Sequence, residues 1–271
     1  MVAVTVLSVA LAVGGRTVES KSVVLPAGGL GIATAVCPSG DYVTGGGFVD
    51  AVSWPPNSGG ETWVESEALV SAGRGWSVEG KDYQPATAIT ALAYCTKGTA
   101  PSLKKVSKTV KVSDRGLGTS EVQCPAGTVV LNGGFTVTFP TYKASWAPVQ
   151  SAYRPSPTSW KVSAVNGFDP GSIDITATAY CGKGATPKQV VSPATTVQPS
   201  SMGDAVAKCP LGKPALFGGF SAQYDPSKGI TVDAISLTSP TASEWKVTGG
   251  NWGIAEYGGV SGTILSYAYC A

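Results

Sequence analysis

Histidine is absent from this sequence. Without an imidazole there is no Ser-His-Asp or Cys-His relay and no His-ligated metal site. No Cys-x-x-Cys pair sets thiolates at zinc spacing. Charge is scarce as well. Only 13% of residues are charged, against about 25% in an average domain, and the formal net charge is +2. No basic run exceeds Lys104-Lys105, so the electrostatic footprint of a nucleic-acid binder is missing. There is no Walker-type phosphate loop and no Gly-x-Gly-x-x-Gly ahead of a helix; Gly45-Gly46-Gly47 sits among strand-like neighbours and reads as a turn or bulge. No stretch of 12 or more residues carries a helical apolar stripe. These absences point away from most enzymes, from cofactors and from helical folds.

What is present is one pattern written three times. The first copy runs through Cys37-Pro38-Ser39-Gly40, Gly46-Gly47-Phe48, Trp76-Ser77-Val78 and Ala93-Tyr94-Cys95. The second has Cys124-Pro125-Ala126-Gly127, Gly133-Gly134-Phe135, Trp160-Lys161-Val162 and Ala179-Tyr180-Cys181. The third has Cys209-Pro210-Leu211-Gly212, Gly218-Gly219-Phe220, Trp245-Lys246-Val247 and Ala268-Tyr269-Cys270. Successive first cysteines lie 87 and 85 residues apart, and each precedes its Phe by 11. A motif needed three times serves a fold more naturally than a catalytic site.

The six cysteines allow 15 pairings, and the repeat symmetry selects Cys37–Cys95, Cys124–Cys181 and Cys209–Cys270. Closing loops of roughly 60 residues stabilises by about 4 kcal/mol each in the chain-entropy model, and disulfides imply an oxidising, extracytoplasmic home. The other reading is six buried free thiols.

Strand signals fill the copies. Ile173-Asp174-Ile175-Thr176-Ala177-Thr178-Ala179 alternates β-branched and small or polar residues, as does Trp245-Lys246-Val247-Thr248. Cys-Pro-x-Gly reads as a turn, and Gly-Gly-Phe as a strand approached closely by a ring or another backbone. The expected fold is all-β: three tandem antiparallel repeats of about 85 residues with five or six strands each. They occupy residues 16–98, 104–184 and 188–271. Separate sandwich modules are expected, with one pseudo-threefold prism as the alternative. An immunoglobulin domain does not fit, because Trp76 follows Cys37 by 39 residues and the Tyr adjoins the second Cys.

The repeated pattern resembles repeats in uncharacterised secreted bacterial proteins. The resemblance covers nearly all of 16–271 and implies an extracellular setting and a disulfide in each copy. It implies no activity and no functional residues.

Residues 1–15 belong to no copy. Their sequence, Met1 to Gly15, is almost wholly apolar and rich in Val. Ala10-Leu11-Ala12 matches a signal-peptide cleavage pattern, without a basic n-region ahead of it. As a helix, about 13 residues would span about 20 Å, short of the ~30 Å hydrocarbon core. As a strand they would reach roughly 43 Å. Val2, Val4, Val6, Val9, Leu11 and Val13 would then supply the buried face, with a bulge after Ser8 and Gly14-Gly15 as hinge. Such a strand either completes its own chain or inserts into a neighbour, and head-to-tail insertion builds a filament. The leading expectation is therefore a non-enzymatic, extracellular, pilus-like structural subunit whose partner is another copy of itself.

Three further sets of residues invite a functional reading. Trp54 and Trp146 lie outside the repeated Trp-x-Val, as do Trp63 and Trp252; Trp54 and Trp146 could stack on sugar rings in a monomeric glycan- or surface-binding adhesin. Asp82, Asn166 and Asn251 each follow the repeated Trp by six residues and suit a turn, or else three equivalent ligand positions. Glu65 with Glu67, on one strand face, and Asp169 with Asp174 are the carboxylate pairs a glycosidase would need.

Overall fold

The computed structural model describes residues 11–13, 16–26, 28–50, 62–82, 87–139, 147–167, 171–222, 230–237, 243–251 and 260–271. Among them the secondary structure is strand apart from one short 3-10 turn at Ser71–Gly73, with no α-helix. The first copy contributes β2 (Arg16–Val24), β3 (Leu30–Val36), β4 (Asp41–Asp50), β5 (Thr62–Val70), β6 (Gly75–Asp82) and β7 (Ala88–Lys97). The second contributes β8 (Lys104–Val112), β9 (Leu117–Gln123), β10 (Val129–Thr138), β11 (Val149–Ser156), β12 (Ser159–Val165) and β13 (Ile173–Gly182). The third contributes β14 (Lys188–Val191), β15 (Thr195–Val197), β16 (Ser201–Lys208), β17 (Ala215–Ala222), β18 (Ile230–Leu237), β19 (Glu244–Asn251) and β20 (Gly262–Cys270). β14 and β15 both pair with β20, interrupted at Pro193, which has no N–H to give a ladder.

The strands form three antiparallel sheets, and every sheet takes strands from two copies. Sheet A runs β1-β2-β7-β4-β18-β19-β16, where β1 is Leu11–Val13. Sheet B runs β3-β6-β5-β10-β13-β8, and sheet C runs β14-β20-β17-β11-β12-β9. Each copy thus sends three strand positions into one sheet and three into the next. The copies meet at short seams between strands: Phe48 opposite Ile235, Phe135 opposite Glu67, and Phe220 opposite Ala152.

The repeated motifs build these junctions. In Cys-Pro-x-Gly the backbone N–H of Asp41, Thr128 or Lys213 donates to the proline carbonyl three residues earlier. Gly40, Gly127 and Gly212 take φ of +89°, +77° and +76°, the left-handed region that glycine enters without strain. Trp76, Trp160 and Trp245 are at most 1% exposed. Each lies against the first glycine of its own copy's Gly-Gly-Phe, where an added Cβ would fall inside the ring. The second glycine serves the seam: a Cβ on Gly134 or Gly219 would collide with the carbonyl of Glu67 or Ala152 on the strand of the other copy. The disulfides Cys37–Cys95, Cys124–Cys181 and Cys209–Cys270 are the symmetry-selected pairs. The first cysteine of each closes a strand of one sheet and the second lies in a strand of another, so the three bonds tie A to B, B to C and C to A.

The buried faces of all three sheets meet in one apolar cluster that includes Phe48, Phe135, Phe220, Trp76, Trp160 and Trp245. Aromatic contacts cross the copies: Phe135 and Phe220 meet edge-on at 6.3 Å, as do Tyr94 and Trp245 at 5.6 Å. With sheets and core both shared, burying the apolar face of one copy requires the others.

Candidate functional site

The N-terminal segment leaves a visible root. Leu11, Ala12 and Val13 form β1, antiparallel to β2 of the same chain, with Leu11 opposite Val18 and Val13 opposite Arg16. β1 ends sheet A, so among the described residues its far side has no strand partner. Val2, Val4, Val6 and Val9 and the expected hinge Gly14-Gly15 lie outside the described residues. β2 itself is held to another copy, since Arg16 donates from Nη1 to the Ala215 carbonyl at 2.6 Å. Burial lowers the pKa of this guanidinium.

The acids Glu65 and Glu67 do not share one strand face. The register of β5 against β6 shifts between Val64 and Ser66, leaving Glu65 as the extra residue of a β-bulge. Ser66 then stands opposite Glu79 and Glu67 opposite the core residue Val78. The bulge breaks the alternation that put the two acids together. Glu67 turns inward and is 3% exposed, and its Oε2 has no hydrogen-bond partner. Burial holds its pKa well above the usual carboxylate value. Glu65 is pushed up to about 7 by burial, with Lys81 opposing the shift and Glu79 adding to it. The same bulge recurs at Gln150 in β11 and Asp233 in β18. Of the second pair, Asp169 lies outside the described residues, while Asp174 pairs with Lys111 at 3.2 Å on the surface. Neither pair presents two facing carboxyls among the described residues.

The other candidates separate cleanly. Trp54, Trp146 and Trp252 lie outside the described residues, and Trp63 is 9% exposed, too enclosed to offer a stacking face. The side-chain amide of Asn166 donates to the carbonyls of Gly171 at 2.9 Å and Val112 at 3.5 Å. Asn251 donates to Val197 and Val260, both at 3.0 Å. Both amides are buried and tie a strand end to neighbouring strand ends, which is turn chemistry and not a ligand position. No side-chain description extends to Asp82, the last residue of β6. No group of three or more Cys, Asp or Glu side chains could hold a metal among the described residues, and no helix there is long and apolar enough to cross a membrane.

The tyrosine of Ala-Tyr-Cys carries a task that its sequence pattern alone does not state. The Tyr180 hydroxyl accepts from the Leu69 N–H at 2.9 Å and donates to the Leu69 carbonyl at 3.3 Å. Tyr269 accepts from the Arg154 N–H at 2.6 Å. Leu69 and Arg154 each lie two residues past the seam residue of another copy, so the tyrosines fasten one copy to the next. Burial pushes Tyr180 up to about 12 and Tyr269 higher still. The Arg154 guanidinium lies 4.6 Å from the Tyr269 ring and donates to the carbonyls of Val130 and Pro187. The signal for this role was the fixed place of the Tyr beside the second cysteine in all three copies.

No family model and no curated protein matches this chain.

Proposed function

We propose that this chain is a non-enzymatic, extracellular structural protein. In this reading the three copies make one pseudo-threefold prism clipped by disulfides, and copies of the chain assemble head to tail through the N-terminal strand. One observation carries the proposal. Sheets B and C each hold six strand positions, three from each of two copies, once the split β14/β15 counts as one. Sheet A holds the same six and β1 besides. Removing the threefold arrangement leaves β1 and the apolar residues before it, with an edge that no described strand covers. An uncovered edge is a template for another chain.

The cis pairing of β1 with β2 refines the mechanism. Leu11–Val13 would anchor the segment to its own sheet, and the ten residues before Leu11, about 33 Å if extended, would reach the neighbour. Three disulfides bracing three sheets suit an exposed, oxidising setting.

The test is assembly state. Full-length protein should form filaments visible by negative-stain electron microscopy, and a variant lacking residues 1–10 should be a folded monomer by light scattering. Identical polymers from both, or a monomeric full-length protein at high concentration, would overturn the proposal.

A further inference from the structure

The three copies present different side chains at equivalent places on the outer surface. Val24 stands opposite Ala88, seven residues before the second cysteine of its copy, and Lys111 and Thr196 hold the same register in the other two. Ile32 stands opposite the third residue after the repeated Trp, as do Thr119 and Asp204. Val36 stands opposite the residue just before that Trp, as do Gln123 and Lys208. All of these residues are exposed. The second and third copies therefore fill the places with polar or charged side chains, and in the third Lys208 pairs with Glu244 at 2.9 Å and Lys246 with Asp204 at 3.4 Å. The first copy fills them with aliphatic ones: Val24 is 54% exposed, Ile32 58% and Val36 48%. Apolar surface gathered in one copy, where its equivalents are polar, marks a contact site.

These side chains lie along one corner of the fold. A Cβ on Gly31 would strike the Leu25 side chain and touch Val23, which sets Val24 and Ile32 level with one another where sheet A meets sheet B. Val36 follows Ile32 on the same face of β3, four residues or about 13 Å further along. β3 ends sheet B, and β2, which carries Val24, also carries β1. The chain holds a strand that suits this stripe. Residues 1–10 have no charged side chain, and Val2 and Val6 are spaced as Ile32 and Val36 are. Ten extended residues, about 33 Å, are longer than the stripe. The matching corners of the other copies are closed to such a strand. Lys104, Lys105, Lys108 and Lys111 are exposed along β8, and lysine on an edge strand opposes pairing with another chain. In the third copy Pro193 interrupts the edge between β14 and β15.

We propose that the outer face of β3, with Val24 beside it, is the surface on which a second copy of this chain docks its residues 1–10, setting Val2 and Val6 against Ile32 and Val36. The proposal rests on assembly through the N-terminal segment and supplies the acceptor surface that such assembly requires. Donor and acceptor are different parts of the chain, so each copy gives one segment and receives one, and the series of copies stays open.

The second copy supplies the test substitutions. Val24→Lys, Ile32→Thr and Val36→Gln together place at this corner the residue types already held by Lys111, Thr119 and Gln123. This triple variant of the full chain should melt as the wild type does, while the concentration needed for filaments, read by light scattering, rises at least about tenfold. A second measurement leaves the rest of the corner intact. Full-length Ile32→p-benzoylphenylalanine, half of it isotope-labelled, is assembled and illuminated. Mass spectrometry should then find position 32 joined to residues 1–10 of a copy of the opposite label. Crosslinks that never join opposite labels, crosslinks that miss residues 1–10, or a triple variant that assembles as readily as wild type would each overturn this acceptor surface. Assembly through the N-terminal segment survives those results if wild-type filaments still require residues 1–10. A wild-type chain that does not polymerise removes both.

Discussion

Replacing Glu67 by leucine should stabilise the protein, and by an amount that depends on pH. The equivalent seam positions hold apolar residue types: in register, Ala152 stands opposite Phe220 and Ile235 opposite Phe48, while Glu67 stands opposite Phe135. Leucine is close to glutamate in volume, so the exchange keeps packing while removing an acceptor with no partner. Relief of an unsatisfied buried group is worth about 1–3 kcal/mol. The pH term adds to this. Folding raises the Glu67 pKa well above its ordinary 4.5. Below 4.5 both states hold the proton and the linkage term is absent. Above it the unfolded chain releases a proton that the folded chain retains, so wild-type stability falls with rising pH. One proton corresponds to about 1.4 kcal/mol per pH unit. The stabilisation by Glu67→Leu should therefore grow as the pH rises from 5 to 6. Urea denaturation monitored by tryptophan fluorescence at the two pH values measures it. A variant less stable than wild type at pH 6, or a stability difference equal at pH 5 and 6, would refute the burial of an uncompensated carboxyl at this seam. Glu65, raised to about 7, adds a second fall of the same sign that ends near pH 7.

The seam tyrosines predict a parallel loss. Tyr180→Phe leaves the Leu69 N–H without its acceptor and should cost about 1–3 kcal/mol in urea denaturation; ultraviolet titration should show Tyr180 ionising only near pH 12 and Tyr269 beyond it. Gly133→Ala or Gly218→Ala forces the Trp160 or Trp245 ring from its place. Each should lower stability by about 1–3 kcal/mol or more, seen as a lower urea midpoint; the matched control is Gly212→Asn, at a left-handed turn with nothing nearby, which should change it far less.

Much of this architecture was legible in the chain because it rests on local chemistry repeated three times. A turn needing positive φ can use Cys-Pro-x-Gly anywhere, and a ring packed on a backbone needs Gly at the contact. Cysteines in threefold register leave one symmetric pairing that stays within each copy, and it is the one formed. The carboxylate site was misread at Glu65 because one inserted residue reverses which face the next side chain occupies. The matching bulges at Gln150 and Asp233 show no alternation pattern that marks them in the sequence. The pocket lined by Thr44, Leu131 and Leu216 was invisible for a different reason: its walls come from three copies and two linkers, brought together only by closure of the sheets.

The sequence by itself determined the three copies, their all-β character, their disulfides and the apolar segment that matches none of them, since each of these is written in residue type and spacing. Tertiary structure alone decided that every sheet is shared between two copies, that β1 lies on its own chain at the edge of sheet A, and that Thr44, Leu131 and Leu216 share a pocket. Strands pair through backbone groups that all residues carry. Side-chain patterns therefore record which face of a strand is buried, while the identity of the neighbouring strand is settled only when the whole core closes.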